Sequence, residues 1–249
     1  MEVTAETTRD RTARPLVIAH RGASAEAPEN TIAAFELAIA HGADGIALEV
    51  HLSKDDQPVV IHDLTLDRTT DGVGPVRDRT VRELKRLDAG GWRGRAFEGQ
   101  RIQTLQETLE RFRDRARFWI ELTSGFDPDR GLEEKVVSML EIYDVLHQAL
   151  LLSFDHAVLD RVRRLNSEIP LGLLAAHRTG PWPLATLVSA VCPALELVTE
   201  QEIHDIRRAG LDCYVWTVNE PIHADRLVHW GAGGIITDRP GPVRDKLGS

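Results

Sequence analysis

The sequence is poor in cysteine and in long apolar runs, and it has fewer basic than acidic residues. Its only cysteines are Cys192 and Cys213, which are too far apart for a CxxC zinc motif and are interpreted as buried thiols. No apolar run reaches the roughly 18 residues that a transmembrane helix requires, so no membrane span is predicted. Lys and Arg number 30 against 39 Asp and Glu, giving a net charge of −9. This charge argues against a nucleic-acid partner, because such binding depends on neutralising phosphates.

The first 14 residues, MEVTAETTRDRTAR, are polar and charged. They lack the apolar core of a secretory signal, so we expect a cytoplasmic protein. They also have few large side chains to bury, and we expect a flexible arm over residues 1–14 followed by a single domain over residues 15–249. The length of 249 residues and the hydrophobic content of 42% suit one large α/β barrel.

Short apolar segments recur along the chain, separated by amphipathic segments. Eight of them fit strands buried on both faces, as in a parallel sheet. They are LVIAH (16–20), GIALEV (45–50), FWIEL (118–122), ALLLSF (149–154), LGLLA (171–175), ELVT (196–199), CYVWTV (213–218) and GIIT (234–237). Helices between them are predicted to end at Gly42 and Gly210, the second beginning with Thr199 as its cap. Eight strand–helix units predict a TIM (β/α)8 barrel.

One further apolar segment, PVVIH (58–62), follows the second strand too closely for a helical crossover. A β-hairpin with that strand is therefore predicted. The residues from about 53 to 100 interrupt the strand–helix rhythm with an Asp-Asp pair, a Thr-Thr-Asp-Gly turn and the glycines at 90, 91, 94 and 99. We predict a small insertion after the second strand, at the C-terminal face where TIM-barrel active sites are built.

Two histidines at predicted strand ends are candidates for acid–base chemistry. His20 ends the first strand and is followed by Arg21, whose planar guanidinium suits phosphate oxygens. His62 ends the hairpin strand and is followed by Asp63. Two imidazoles on either side of a scissile bond can activate a nucleophile and protonate a leaving group. Either histidine alone is also compatible with a structural role in a loop.

Two carboxylates lie within apolar strands, Glu49 and Glu121. A buried carboxylate is costly unless it meets a cation or a donor, so the pair favours a hard divalent cation such as Mg²⁺ or Ca²⁺. The alternative, that each carboxylate pairs with an arginine of the barrel, stays open. Trp216, near the end of the seventh strand, is predicted to face the same mouth. Asp238, after the last strand, is interpreted as a structural cap.

Taken together, these segments resemble the glycerophosphodiester phosphodiesterase family. The similar segments are AHRGASAEAPENTIAAFELAIAHGAD, EVHLSKDDQPVVIHDLTLDRTTDG, LLSFD, VWTVN and GIITDRP, in the family's order. The resemblance implies a TIM barrel with a small insertion, and a hydrolase of lipid metabolism that cleaves glycerophosphodiesters with one Mg²⁺ or Ca²⁺. It implies these roles: acid–base catalysis by His20 and His62, phosphate binding by Arg21, metal binding by Glu49 and Glu121, and a substrate-side aromatic ring at Trp216.

Two positions depart from the family pattern. The family carries Glu-x-Asp on the second strand, where this chain has Ala47 and Glu49. It carries Glu-x-Lys on the third strand, where this chain has Glu121 and Thr123. One metal ligand and one phosphate-binding cation are therefore replaced in the same site. His51 shares a strand face with Ala47, but an imidazole is a poor substitute ligand for Mg²⁺.

Two hypotheses follow for function. The first is a phosphodiester hydrolase or phosphoryl-transfer enzyme that uses two histidines on an atypical small-molecule substrate, with a weak metal site or none. Water, or an internal hydroxyl that would leave a cyclic phosphate, is the nucleophile. The second is a divergent barrel that binds a ligand, or performs acid–base chemistry without phosphate, in the same pocket.

Overall fold

A computed structural model describes residues 14–123, 131–177 and 187–248. Its strands are β1 (Leu16–His20), β2 (Gly45–Leu52), β3 (Pro58–Val60), β4 (Gln103–Thr104), β5 (Arg117–Leu122), β6 (Ala149–Ser153), β7 (Leu171–Ala175), β8 (Ala190–Pro193), β9 (Asp212–Val215) and β10 (Gly234–Thr237). Its α-helices are α1 (Ile32–Ala40), α2 (Val81–Leu84), α3 (Leu105–Phe112), α4 (Leu132–Ile142), α5 (His156–Leu165), α6 (Glu200–Arg208), α7 (Pro221–His229) and α8 (Pro240–Gly248).

Eight of the strands are parallel and close into a barrel. Their order is β1, β2, β5, β6, β7, β8, β9 and β10, and β10 returns to pair with β1. Ile18 of β1 lies opposite Gly45 on one side and Ile236 on the other. Most of these strands are buried along their whole length, which is why they appear in the sequence as continuous apolar runs. The predicted TIM barrel is confirmed.

Two apolar layers hold the barrel together. The larger lies between strands and helices, where Phe35 and Phe112 pack edge to face with ring centroids 5.8 Å apart. The smaller fills the barrel interior, where Trp119 packs edge to face on Tyr214 at 5.4 Å. Gly45 leaves the space that the Trp119 ring occupies, because a Cβ there would lie 2.4 Å from the indole. Ala47 of β2 and Trp119 of β5 belong to this inner layer. Side chains alternate along a strand, so Glu49 and Glu121, two positions further on, point towards the barrel mouth.

The sixth barrel strand differs from its predicted position. It is β8, at Ala190–Pro193, whereas the segment 196–199 that we predict as a strand is a connection containing one 3₁₀ turn, Leu195–Leu197. The prediction was wrong because Leu195 and Val198 pack against the core from a connection, and burial alone makes a connection as apolar as a strand. The predicted cap does form: Thr199 accepts a hydrogen bond from a backbone N–H of α6.

Between β2 and α3 the chain leaves the barrel in an excursion, residues 53–104. β3 pairs antiparallel with β2, and β4 pairs with β3, so the predicted hairpin and insertion are confirmed. The excursion has its own small apolar cluster, composed of Val59, Ile61, Leu66, Val76, Leu84, Ala89 and Ile102. Val60 of β3 instead belongs to the larger barrel layer, so the excursion is joined to the barrel by the hairpin with β2 and by polar contacts of its loops.

Other sequence predictions have mixed outcomes. Gly42 and Gly210 follow α1 and α6 with φ of +76° and +77°, as expected of helix-ending glycines. Both cysteines are buried and unpaired with each other. The limits of the flexible arm and of the single domain stay predictions, since residues 1–13 lie outside the described ranges. No helix in the described part of the chain has the length and apolar character needed to cross a membrane.

Candidate active site

The C-terminal ends of the barrel strands form one mouth, and most of the predicted site residues lie there. His20 ends β1, Glu49 lies three residues before the end of β2, and Glu121 is the penultimate residue of β5. Trp216 directly follows β9. His62 comes from the excursion, two residues beyond β3. Charged groups therefore come from neighbouring strands, with the second histidine supplied by a separate packing unit.

The first histidine is oriented by an aspartate. His20 Nδ1–H donates to Asp238 Oδ1 at 2.8 Å, and Asn219 donates to the other oxygen of that carboxylate at 2.7 Å. Burial alone would raise the pKa of Asp238, but the hydrogen bond and charge of His20, with further bonds from Asn219 and Ser24, lower it to about 2. The ionised carboxylate holds a proton on Nδ1, so Nε2 is the ring nitrogen that can gain or lose a proton. Asp238, interpreted from the sequence as a structural cap, thus binds the side chains of His20, Ser24 and Asn219.

The second histidine has the same arrangement. His62 Nδ1–H donates to Asp63 Oδ1 at 2.6 Å. Asp63 in turn accepts two hydrogen bonds from Arg68, at 2.8 Å and 2.9 Å. These bonds from Arg68, aided by the bond from His62, hold the pKa of Asp63 far below its usual range although partial burial opposes the shift. The carboxylate therefore stays ionised and leaves Nε2 of His62 free to exchange a proton.

His51 does not act as a replacement metal ligand. Its Nε2–H donates to the backbone carbonyl of His62 at 2.8 Å, and its Nδ1 lies 2.9 Å from the hydroxyl of Thr123. Burial lowers the pKa of His51, which keeps the ring neutral at neutral pH although neighbouring groups oppose the shift. Thr123, which stands at the family's lysine position, thus contacts His51 and, through it, the backbone of His62.

Arg21 occupies an unusual backbone conformation beside the first histidine. Its φ is +58°, a region that non-glycine residues adopt rarely, and its N–H donates to the carbonyl of Ala47 at 2.7 Å. The guanidinium donates from Nε to Glu49 at 2.8 Å and from Nη1 to Glu29 at 2.9 Å. Burial would lower the pKa of Arg21, but the two carboxylates raise it. A fixed cation therefore lies at the mouth between β1 and β2.

The two carboxylates at the mouth are satisfied by protein donors or by protonation. Both oxygens of Glu49 are engaged, Oε1 by Arg21 and Oε2 by Asn30 Nδ2 at 2.7 Å. Burial raises the pKa of Glu121 to about 8, and the negative charge of Glu49 contributes to the rise. This carboxyl is therefore largely protonated at neutral pH. Ala47 offers no oxygen. Within the described ranges, His, Cys, Asp and Glu form no group of three with metal-binding geometry.

Two aromatic rings lie on the opposite side of the mouth. Phe154 directly follows β6, and its ring packs edge to face on Trp216 with centroids 5.9 Å apart. The indole N–H of Trp216 donates to the carbonyl of Cys192 at 2.7 Å, which fixes the ring. Phe154 is 46% exposed. Because β7 and β8 separate the two strands that carry the rings, the pair spans this side of the mouth.

Several residues of the site were not identified from the sequence. They are Glu29, Asn30, Arg68 and Asn219. The contact of Asp238 with His20 was also not foreseen. Each lies in a turn that a local pattern assigns only to a loop, and each acts through a partner far along the chain. The available signal was their position inside the segments APENT, LDRTT, VWTVN and GIITDRP, all of which belong to the family resemblance.

Comparison with known proteins identifies the family. The profile of the glycerophosphoryl diester phosphodiesterase family matches residues 20–242. The chain belongs to this family. As a family member it is a phosphoric diester hydrolase of the glycerophosphodiester phosphodiesterase type.

Curated relatives of this phosphodiesterase match it over most of their lengths. A glycerophosphodiester phosphodiesterase of Caldanaerobacter subterraneus is 40% identical over 91% of this chain and 95% of its own. A protein of the same name from Bacillus subtilis is 34% identical over 91% of this chain and 84% of its own. Such coverage means that the similarity extends over most of the chain.

Solved structures of the family superpose on this phosphodiesterase. A phosphodiesterase of Oleispira antarctica, in complex with the product sn-glycerol-3-phosphate, has a TM-score of 0.86 at 32% identity, covering 95% of this chain and 98% of that one. A glycerophosphodiester phosphodiesterase of Agrobacterium tumefaciens has a TM-score of 0.82 at 30% identity, covering 93% and 99%. The fold and its insertion are therefore those of the family.

Proposed function

We propose that this phosphodiesterase hydrolyses a glycerophosphodiester by a two-histidine mechanism. The observation that carries the proposal is that His20 and His62 each donate Nδ1–H to an aspartate, Asp238 and Asp63 respectively. Each ring then has Nε2 available for proton transfer, as general acid–base catalysis requires. The product complex of the Oleispira antarctica relative supports glycerol 3-phosphate as one product.

In the proposed reaction, water attacks phosphorus while one imidazole accepts its proton. The other imidazole, in its protonated form, donates a proton to the leaving alcohol oxygen, and the P–O bond to that oxygen breaks. Arg21 offsets the charge that develops on the remaining phosphate oxygens, because its guanidinium is fixed at the mouth by Glu49 and Glu29. If an internal hydroxyl of the substrate attacks instead, the product is a cyclic phosphate.

We further propose that the substrate differs from the usual glycerophosphodiesters in its alcohol. Ala47 and Thr123 replace a metal ligand and a phosphate-binding cation of the family pattern, so fewer charged groups hold the phosphate. Contacts with the alcohol must then supply a larger share of the binding energy. Phe154 and Trp216 offer an aromatic surface for an apolar or quaternary ammonium alcohol.

The test is product analysis on a panel of glycerophosphodiesters with different alcohols. Phosphorus NMR distinguishes glycerol 3-phosphate from a cyclic phosphate, and each reaction is run with Mg²⁺, with Ca²⁺ and with a chelator. We expect turnover by the natural protein that is lost in both His20→Ala and His62→Ala. If no diester of the panel is cleaved under any of these conditions, the proposed function is wrong.

A ligand-binding barrel without phosphodiesterase activity is the second candidate. It is favoured by the replacement of two charged family positions, at Ala47 and Thr123, while the histidines remain. Turnover separates the two functions: a binding protein binds glycerol 3-phosphate but cleaves no diester, whereas the enzyme has a turnover that His20→Ala removes. Calorimetric titration with glycerol 3-phosphate measures the affinity.

A further inference from the structure

Arg68 connects the excursion to the barrel through two carboxylates. On the excursion side, its Nε and Nη2 donate to Asp63 at 2.8 Å and 2.9 Å. On the barrel side, its Nη1 and Nη2 donate to Glu29 at 2.7 Å and 2.8 Å. Glu29 belongs to the loop between β1 and α1, which also carries Arg21. One planar guanidinium thus binds both units, each through two parallel hydrogen bonds.

The contacts continue on both sides of this bridge. Asp63 accepts the Nδ1–H of His62, and Glu29 accepts a bond from Arg21 at 2.9 Å. Burial opposes ionisation of Glu29, but hydrogen bonds and charges of the two arginines lower its pKa. An unbroken series of charged hydrogen bonds therefore runs from His62 to Arg21. It joins the acid–base group of the excursion to the phosphate-facing cation of the barrel.

The geometry of this bridge matters more than its contribution to stability. Arg68 is 44% exposed, and exposed ion pairs contribute little to the free energy of unfolding. Its two partners are better shielded, with Glu29 12% and Asp63 25% exposed. By comparison, Arg101 is similarly exposed, at 42%, but its contacts are with Leu87 and Asp88 of the excursion itself. Within the excursion, Arg101 is thus a matched arginine that does not reach the barrel loop.

We propose that Arg68 is a positioning residue: it holds Asp63, and through Asp63 the imidazole of His62, in a fixed relation to Arg21. The inference rests on the proposed function as far as turnover is concerned. Its structural part, that Arg68 determines the state of the His62 ring, holds independently of the substrate.

The first test compares the kinetics of Arg68→Ala, Arg68→Lys and Arg101→Ala. We expect Arg68→Ala to lower kcat on the order of 10- to 100-fold, because misplacement of a catalytic group by about 1 Å has effects of this size. KM should change less, by under about threefold, because the guanidinium of Arg68 is engaged by Asp63 and Glu29. A lysine should restore part of kcat, and Arg101→Ala should match the natural protein. An unchanged kcat in Arg68→Ala overturns the inference.

A double-mutant cycle with Asp63→Asn tests whether Arg68 acts on His62 through Asp63. If Arg68 acts on His62 through Asp63, then Arg68→Ala has little further effect on kcat in the Asp63→Asn background. If it only fastens the excursion to the barrel, the two effects multiply. Multiplicative effects would therefore count against a positioning role.

The second measurement does not depend on turnover. The ¹⁵N shifts of the His62 ring report which nitrogen carries the proton, and we expect the Nδ1–H form in the natural protein and in Arg101→Ala. In Arg68→Ala the ring should show a mixture of tautomers. Unchanged ring shifts contradict the inference, and a natural protein that cleaves no diester contradicts the proposed function alone.

Discussion

The two sides of the barrel mouth are built by different physical means. The charged side comprises the ends of β1, β2 and β5 together with the excursion, and it is fixed by hydrogen bonds between ionised groups, such as Arg21 with Glu49 at 2.8 Å. The aromatic side, after β6 and β9, is formed by Phe154 and Trp216, whose rings meet edge to face. One indole N–H is its main polar anchor.

This difference indicates which side of the mouth holds the reacting atoms and which side binds the rest of the substrate in the proposed reaction. A charged hydrogen-bond network has only a few good geometries, so it suits the atoms at which bonds break and protons move. Packed rings tolerate small displacements and bind through surface area, so they suit a part of the substrate that does not react. Substitutions on the charged side should therefore change rates, and those on the aromatic side should change selectivity.

The largest expected effect is on the charged side. In His20→Ala, kcat should fall by about 10²- to 10⁴-fold, the usual contribution of a general acid or base, while the affinity for glycerol 3-phosphate changes little. Stopped assays of product release measure the rate, and calorimetry measures the affinity. If this variant keeps its rate, the acid–base assignment fails and the proposed contrast between the two sides fails with it.

Removal of the carboxylate that orients His20 should destabilise the protein in a pH-dependent way. The pKa of Asp238 is lowered from 3.8 to about 2 in the folded state, so its stabilising effect is fully present above pH 3.8 and is lost as pH falls through about 2. At neutral pH we expect the free energy of unfolding of Asp238→Asn to be about 2 kcal/mol lower than that of the natural protein. Thermal unfolding between pH 7 and pH 2.5 measures the difference.

This difference between the natural protein and Asp238→Asn should narrow below pH 4. A constant gap down to pH 2.5 would mean that the carboxylate is not the source of the stability. Asp225, which is 51% exposed and lies on α7, provides a matched control, since Asp225→Asn should leave the pH dependence unchanged.

On the aromatic side, Phe154→Ala should act on binding. Loss of an aromatic contact with the alcohol costs about 0.5–1.5 kcal/mol, which corresponds to a rise in KM of roughly 2- to 12-fold for diesters with an apolar or quaternary ammonium alcohol. For a diester with a small polar alcohol, KM should change less, and kcat should stay the same for both. Leu165→Ala, at a similarly exposed apolar position, is the control. Equal changes in kcat for both diesters would contradict the proposal that Phe154 binds the alcohol.

The smallest expected effect is that of metal removal. Since both oxygens of Glu49 bind protein donors and Ala47 has none, we expect a chelator to leave both turnover and Tm of the natural protein unchanged. Ala47→Glu places a further carboxylate beside Glu49 and Glu121, so we expect a lower Tm that Mg²⁺ raises again. A chelator-sensitive natural protein would show that the carboxylates do hold a metal.

The fold was largely predictable because its strands are buried and its connections are regular. The apolar runs of β1, β2, β5, β6, β7 and β10 agree closely with the strands. The prediction failed at β8, where a connection carrying Leu195 and Val198 is as apolar as the strand before it. Periodicity detects burial, and it distinguishes a strand from a buried connection only when the segment is long.

The candidate site was predictable only in part. Strand-end positions placed His20 at the mouth, and the hairpin placed His62 in the excursion. The groups that orient these rings were missed, because Arg68 meets Glu29 across 39 positions and Asp238 meets His20 across 218. No local pattern contains such pairs, since they arise when the barrel closes and the excursion docks.

The two partners of the hydrogen bond between His20 and Asp238 are synthesised at very different times. At about 5–20 residues per second of synthesis, the 218 positions between them correspond to roughly 10 to 40 s. A growing chain therefore carries both imidazoles well before the carboxylate that orients the first one. Since β10, which precedes Asp238, is also the strand that closes the barrel on β1, folding and the orientation of His20 are completed together.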